Sequence, residues 1–166
     1  MIKVFERMDG VTDAAQLSVC LPFDERKKSR LKTTAENGEP LGLMLPRGQV
    51  LRNGTLLRDE TGRIILVKAA SECLSVVRSE SPLLLMRAAY HLGNRHVPLQ
   101  VSEGVLSYQH DHVLDDMVRG LGLTVTTEQL PFEPEDGAYA AAAHGHEHGH
   151  GHVHEDGNHH GHHHEH

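Results

Sequence analysis

The sequence predicts an α+β protein in which a β-rich N-terminal domain is followed by a ferredoxin-like βαββαβ domain and a disordered, histidine-rich tail. Three features of the chain indicate this arrangement. Strand-length runs fill the first 70 residues, two helix patterns lie between strands over residues 71–131, and apolar periodicity is lost from residue 132. We therefore expect domains at 1–70 and 71–131 and a tail at 132–166.

The first 70 residues carry repeated strand signals. Turn residues separate the runs, as at Asp9-Gly10 and Asn37-Gly38. The runs themselves are apolar or alternating: KVFERM, LSVCLPF, RLKTT, PLGLMLP, VLRNGTLLRDE and RIILVKAA. Such a series of short strands predicts a small β sandwich or barrel.

The pattern changes at about residue 71. After the strand ECLSVVRS, the segment SPLLLMRAAYHLGN has Ser81 as a helix cap, Pro82 in the first turn and Gly93 as a stop. Strands at VPLQV and VLSYQ follow, and Asp111 is placed to cap a second helix, DHVLDDMVRGLG. With the last strand, LTVTTEQL, the order is β-α-β-β-α-β, which is the ferredoxin-like arrangement.

The tail differs from the body in charge and in histidine content. Twelve of the 16 histidines lie between His144 and His166, and seven of the 23 acidic residues but none of the 16 Lys and Arg follow residue 131. The body is therefore neutral and the tail carries the formal charge of -7. Such a field attracts cations and disfavours nucleic acid.

The tail residues predict a binding site for divalent transition metal. Neutral imidazole is a good ligand for nickel, copper and zinc, and many chelate geometries are available in HGHEHGHGHVHEDGNHHGHHHEH. A flexible chain of interchangeable ligands suits storage or delivery better than catalysis, which needs a fixed set of ligands. The candidate ligands here are His144, His146, His148, His150, His152 and His154.

A family resemblance rests on the segment GNRHVPLQ, which precedes a strand, an HDH segment and a helix. This order is similar to the metal-binding domain of the UreE urease accessory proteins, which are nickel metallochaperones, and the similarity covers almost the whole chain. It implies that His96 lies at a twofold axis of a homodimer formed through the C-terminal domain, where two copies share one metal ion. Two nitrogens leave nickel under-coordinated, so water or tail histidines must complete the shell.

The same resemblance implies the cargo and the partners. The cargo is Ni(II), with Zn(II) or Cu(II) as alternatives, and the partners are the urease accessory GTPase and the urease apoprotein complex. His110 and His112 are implied as auxiliary ligands, since side chains two apart on an extended segment share a face. The alternative is that Asp111 caps a helix while both histidines are ordinary surface residues.

Other classes of function are disfavoured by the sequence. No run reaches the roughly 18 apolar residues of a membrane helix, so we expect a soluble, cytoplasmic protein. HExxH and P-loop motifs are absent, which argues against an enzyme. Cys20 and Cys73 form no CxxC pair and are expected in the core. A histidine-rich storage or detoxification buffer remains the alternative to a carrier.

Overall fold

The computed structural model describes residues 1–9 and 14–137. Gly10 of the predicted turn at Asp9-Gly10 and all of the tail histidines therefore lie outside the described residues. The helices are α1 (Phe23–Arg26), α2 (Pro82–Asn94) and α3 (His112–Gly120). The strands are β1 (Ile2–Met8), β2 (Leu17–Leu21), β3 (Arg30–Thr34), β4 (Pro40–Met44), β5 (Leu56–Asp59), β6 (Ile64–Ala69), β7 (Ser71–Arg78), β8 (Gln100–Ser102), β9 (Val105–Gln109) and β10 (Val125–Pro131).

The first six strands form one mixed sheet in the order β2-β6-β5-β1-β4-β3. The pairs β1–β4 and β2–β6 are parallel and the others are antiparallel. Alternation along the strands places Val4, Val19, Leu43 and Val67 in one fully buried cluster. The predicted strand in residues 50–60 begins only at Leu56, because the amide of Thr55 donates to the carbonyl of Arg52 in a turn.

The last four strands form an antiparallel sheet in the order β10-β7-β9-β8. This is the order that a βαββαβ chain takes when its two helices cover one face. Val77 and Tyr108 of the sheet are packed with Leu92 of α2 and Val118 of α3 in one buried cluster. The predicted α+β class, with a strand-rich N-terminal part and a C-terminal part of strands and helices, is confirmed.

The opposite face of the second sheet is buried by residues from two distant parts of the chain. Leu74 and Val76 of β7 pack with Phe23 of α1 and with Phe132. The rings of Phe23 and Phe132 meet edge to face, with 5.5 Å between their centroids. Phe132 is fully buried, and the amide of Glu135 donates to the carbonyl of Leu99 at 2.8 Å. Residues 132–135 are thus part of the body, whereas the sequence pattern placed them in the tail.

Arg26 joins the same parts of the chain. Its buried guanidinium donates to the carbonyls of Leu21 and Leu51 at 3.1 Å each. It also donates to the carbonyl of Phe132 and pairs with the carboxylate of Glu133. The sequence pattern predicts neither α1 nor a buried role for its basic residue, because a four-residue helix has no periodicity to detect.

The expectation for the two cysteines is wrong, since both are exposed. In β2 the buried side chains are Leu17, Val19 and Leu21, so the pleat turns Cys20 outward. Cys73 lies on the same side of β7 as buried Ser75 and Val77, but near the start of the strand, where Ser71 to Cys73 are not buried.

Within residues 1–9 and 14–137, no helix is long and apolar enough to cross a membrane.

Candidate metal site

The end of α2 places His96. Ser81 caps the start of this helix by accepting the amide of Leu84, with Pro82 as the first helical residue, as predicted. The helix runs through Gly93 to Asn94, one residue beyond the expected stop. Arg95 is its C-terminal cap, and His96 follows directly.

The turn after α2 is a Schellman motif with histidine where glycine is usual. The amide of His96 donates to the carbonyl of Gly93, and the amide of Val97 donates to the carbonyl of Leu92. These two bonds require a left-handed backbone at His96, where φ is 56°. Val97 also packs in the same apolar cluster as Leu92, which is the contact that accompanies this motif.

His96 is thereby held in a strained conformation. Among the residues that the structure describes, it is the one non-glycine residue with positive φ. A side chain in this region costs roughly 1–2 kcal/mol because Cβ approaches the following carbonyl oxygen. Strain of this kind persists where surrounding structure imposes it, and it is concentrated at functional sites. The exposed imidazole at this position is therefore a candidate ligand on geometric grounds as well as by motif.

An exposed apolar stripe lies along the same helix. Leu83, Met86 and Tyr90 are 54%, 62% and 70% exposed, although each is large and apolar. Their spacing of three and four residues places them on one helical face. His91 lies beside them, with its ring 5.2 Å from that of Tyr90. The stripe runs along α2, the helix whose C-terminal turn holds His96.

His110 and His112 flank the start of α3. Asp111 has an extended backbone, and its carboxylate accepts the amides of Val113 and Leu114 at 2.9 and 3.1 Å, which confirms the predicted cap. These bonds lower the pKa of the Asp111 carboxyl, with the amide of Leu114 contributing most. Both histidines are exposed, and His112 is already the first residue of the helix.

His110 also contacts a buried polar network that the sequence pattern does not predict. Its Nδ1 lies 3.1 Å from the hydroxyl of Ser75 and 3.3 Å from the carboxylate of Asp115. Tyr108 donates its hydroxyl to the same carboxylate at 2.7 Å. Burial, more than this neighbouring charge, raises the pKa of Tyr108 well above its usual value, so the phenol stays a donor.

A sequence signal for this network was available in α3. Leu114 and Val118 form its buried face, and Asp115 lies beside them as a buried acid. A carboxylate on the buried side of a helix needs polar partners, and here they are the Tyr108 hydroxyl from β9 and the His110 ring just before α3. The neighbouring strand β7 adds Ser75, whose hydroxyl contacts the His110 ring. Ser75 and Tyr108 are directly opposite each other in that strand pairing.

Ser75, His110 and Asp115 are not arranged as a catalytic triad. A triad uses both imidazole nitrogens, one toward the acid and the other toward the nucleophile. Here the serine oxygen and the aspartate oxygen both approach Nδ1. The hydroxyl of Ser75 is also buried, so a substrate carbonyl has no access to it. The geometry indicates that Ser75 and Asp115 fix the orientation of the His110 imidazole, and that Ser75 is not an activated nucleophile.

The described residues do not contain a complete metal site within one chain. Over residues 1–9 and 14–137, no group of three or more His, Cys, Asp or Glu side chains is placed to hold a metal ion. A metal ion bound by His96 would take one imidazole nitrogen from each chain, so a second copy of the chain or other ligands would have to supply the rest. The predicted tail ligands, from His144 to His154, lie outside the described residues.

The fold and the exposed histidines define a two-module α+β protein whose ferredoxin-like module presents imidazoles at the end of α2 and the start of α3. Residues 2–70 match the model of the UreE urease accessory protein N-terminal domain, and residues 72–166 match that of the C-terminal domain. The chain belongs to the UreE urease accessory protein family.

Individual relatives are similar over most of the chain, and each is named urease accessory protein UreE. The protein from Pseudomonas putida (strain W619) is 57% identical over 87% of this chain and 89% of its own length. That from Vibrio parahaemolyticus is 56% identical over 82% and 87%, respectively. That from Proteus mirabilis (strain HI4320) is 52% identical over 79% and 81%.

Proposed function

We propose that this protein is a nickel metallochaperone, which binds Ni(II) and delivers it for assembly of the urease active site. The observation that carries the proposal is the exposed imidazole of His96, held in a left-handed conformation that glycine would adopt without strain. Its relatives are named urease accessory proteins, which supports action in urease maturation. In the cytoplasm, the partners would be the urease accessory GTPase and the urease apoprotein complex.

The proposed site forms between two copies of the chain. In a dimer related by a twofold axis, one apolar patch meets its own copy, and any residue near the axis is doubled. The stripe of Leu83, Met86 and Tyr90 supplies such a patch on α2. His96 lies in the turn directly after the same helix, so the two imidazoles would approach each other around one ion. An open shell of neutral imidazoles and water permits release to a recipient with better ligands.

Charge at the stripe should abolish this dimer. Tyr90→Glu places a carboxylate in an apolar contact where no partner is available to it, so we expect a monomer by light scattering at concentrations where the wild type is a dimer. Phe5→Glu is the matched control, since Phe5 is 49% exposed on β1 in the other sheet. A Tyr90→Glu protein that stayed dimeric would place the interface elsewhere.

A histidine-rich storage or detoxification buffer for nickel, zinc or copper is the second candidate. It is favoured by the tail, which holds 12 of the 16 histidines in its last 23 residues. In that case the tail would be the whole function and the body a scaffold. Imidazole affinity generally places copper above nickel and zinc, so affinity alone does not select the metal.

Removal of residues 143–166 separates the carrier from the buffer. A carrier should keep a fraction of its ability to activate urease, because His96, His110 and His112 remain, while total nickel uptake falls by most of its value. A buffer should lose both together. The measurements are equilibrium dialysis with nickel and urease activity after co-expression with the truncated chain. Complete loss of activation at normal expression would favour the buffer.

A further inference from the structure

A buried carboxylate lies directly behind the His110 ring. Asp115 is 2% exposed, and one of its oxygens lies 3.3 Å from Nδ1 of His110. The other oxygen accepts the hydroxyl of Tyr108. Asp115 is one helical turn beyond Asp111, and its amide donates to the Asp111 carbonyl at 2.9 Å. The carboxylate is therefore fixed on α3 and by the sheet at the same time.

The contacts around Nδ1 select one tautomer of the ring. An ionised carboxylate only accepts, so the proton of a neutral His110 belongs on Nδ1, facing Asp115. The hydroxyl of Ser75 at 3.1 Å can accept the same proton. The lone pair then lies on Nε2, and in the described part of the chain Nε2 makes no hydrogen bond. The His110 side chain as a whole is 41% exposed, which leaves part of it accessible to a ligand.

We propose that Asp115 is a positioning residue that presents Nε2 of His110 to a divalent transition metal ion. The inference rests on the proposed function, in which His110 is an auxiliary nickel ligand. A histidine ligand commonly donates its other N–H to a carboxylate, which fixes the tautomer, orients the ring and makes the ligand more basic. Here Asp115 is that carboxylate. Ser75 contacts the His110 ring and Tyr108 donates to Asp115, so both groups are fixed in position. His112 has no such support among the described residues.

Asp115→Asn tests this directly, because its amide can donate to Nδ1 and so favour the tautomer with the proton on Nε2. We expect nickel affinity at the His110-dependent site to fall 10- to 100-fold, the range for such outer carboxylates. The readouts are nickel titration of the full-length dimer by calorimetry and the ring nitrogen shifts of His110 in the metal-free protein by NMR. All variants keep the tail, so its contribution to the titration is common to them.

Asp116→Asn is the matched control on the same helix. Asp116 is 75% exposed and pairs with Arg119 alone among the described residues, so neither affinity nor tautomer should change. A His110→Ala background completes the cycle: Asp115→Asn should have no further effect there on nickel binding. An equal loss of affinity in both backgrounds would overturn the proposal, since it would show a general structural role for Asp115.

Two further outcomes distinguish a failure of this inference about Asp115 from a failure of the proposed nickel-binding function. If His110→Ala weakens nickel binding and Asp115→Asn does not, the inference fails while the proposed function stands. If His110→Ala leaves the titration unchanged, His110 is not a ligand and the inference fails with its premise. The wild-type tautomer gives a test independent of any variant, because a metal-free His110 protonated on Nε2 would contradict the proposal outright.

Discussion

Arg26→Met is expected to lower the free energy of unfolding by about 3–5 kcal/mol, which is the usual cost of removing one partner from a buried charged network. The carbonyl of Leu21 keeps a donor, the amide of Ala70. The carbonyls of Leu51 and Phe132 lose the guanidinium, at about 1–3 kcal/mol for each group left without a donor. The carboxylate of Glu133 loses its buried cation as well. Urea denaturation followed by circular dichroism measures the change.

Lys27→Met is the control for Arg26, because Lys27 is adjacent in sequence but about half exposed and paired with Asp24 at the surface. Its replacement should change stability by no more than about 0.5 kcal/mol. Arg26→Lys should restore little, since an ammonium cannot donate in four directions with the geometry of a guanidinium. A small effect of Arg26→Met would mean that the contacts of Arg26 with Leu51, Phe132 and Glu133 are not needed for stability.

His96→Gly is expected to remove one nickel ion per dimer and at the same time to raise the free energy of unfolding by about 0.5–1 kcal/mol. The gain follows because glycine adopts a positive φ without the Cβ penalty, partly offset by its greater freedom in the unfolded chain. Loss of binding is expected because, in the proposed site, each copy would contribute one imidazole from this position. Calorimetric nickel titration and thermal unfolding report the two effects separately.

His96→Ala serves as the comparison, since it also removes the imidazole but keeps Cβ at φ 56°. It should lose the same nickel ion without the gain in stability. His91→Ala, at an exposed histidine on the same helix, should leave the tight nickel site intact. If His96→Gly bound nickel like the wild type, the assignment of His96 as the central nickel ligand would be wrong. If it were less stable than His96→Ala, the strain assigned to this turn would be absent.

The helix boundaries of the C-terminal module could be predicted because their causes are local. Ser81 and Asp111 accept amides two or three residues ahead, and Pro82 fits the first turn. The apolar runs likewise predict most of the strands, but β5 begins only at Leu56 and β8 is limited to Gln100–Ser102, later in each case than the predicted run. His96, His110 and His112 could be selected as candidates in the same way, from residue type, spacing and a family motif over a few positions.

Contacts between distant residues had no such local cause. Arg26 is separated from Glu133 by 107 positions, and nothing in either neighbourhood predicts that a surface-type residue will be buried. Because Phe132 packs against Phe23, residues 132–135 belong to the body, although the sequence pattern placed them in the tail. The exposure of Cys20 also depended on which face of its sheet was covered.

By itself, the sequence determined the α+β class, the order of elements, the caps and the histidines available to a metal, since these depend on residues within a few positions of one another. Tertiary structure alone decided that Arg26 is buried beside Glu133 and that Asp115 reaches Nδ1 of His110. The physical reason is that the partners of these side chains are set by three-dimensional packing. Residues from β7, β9 and α3 meet around His110 only after the chain has folded.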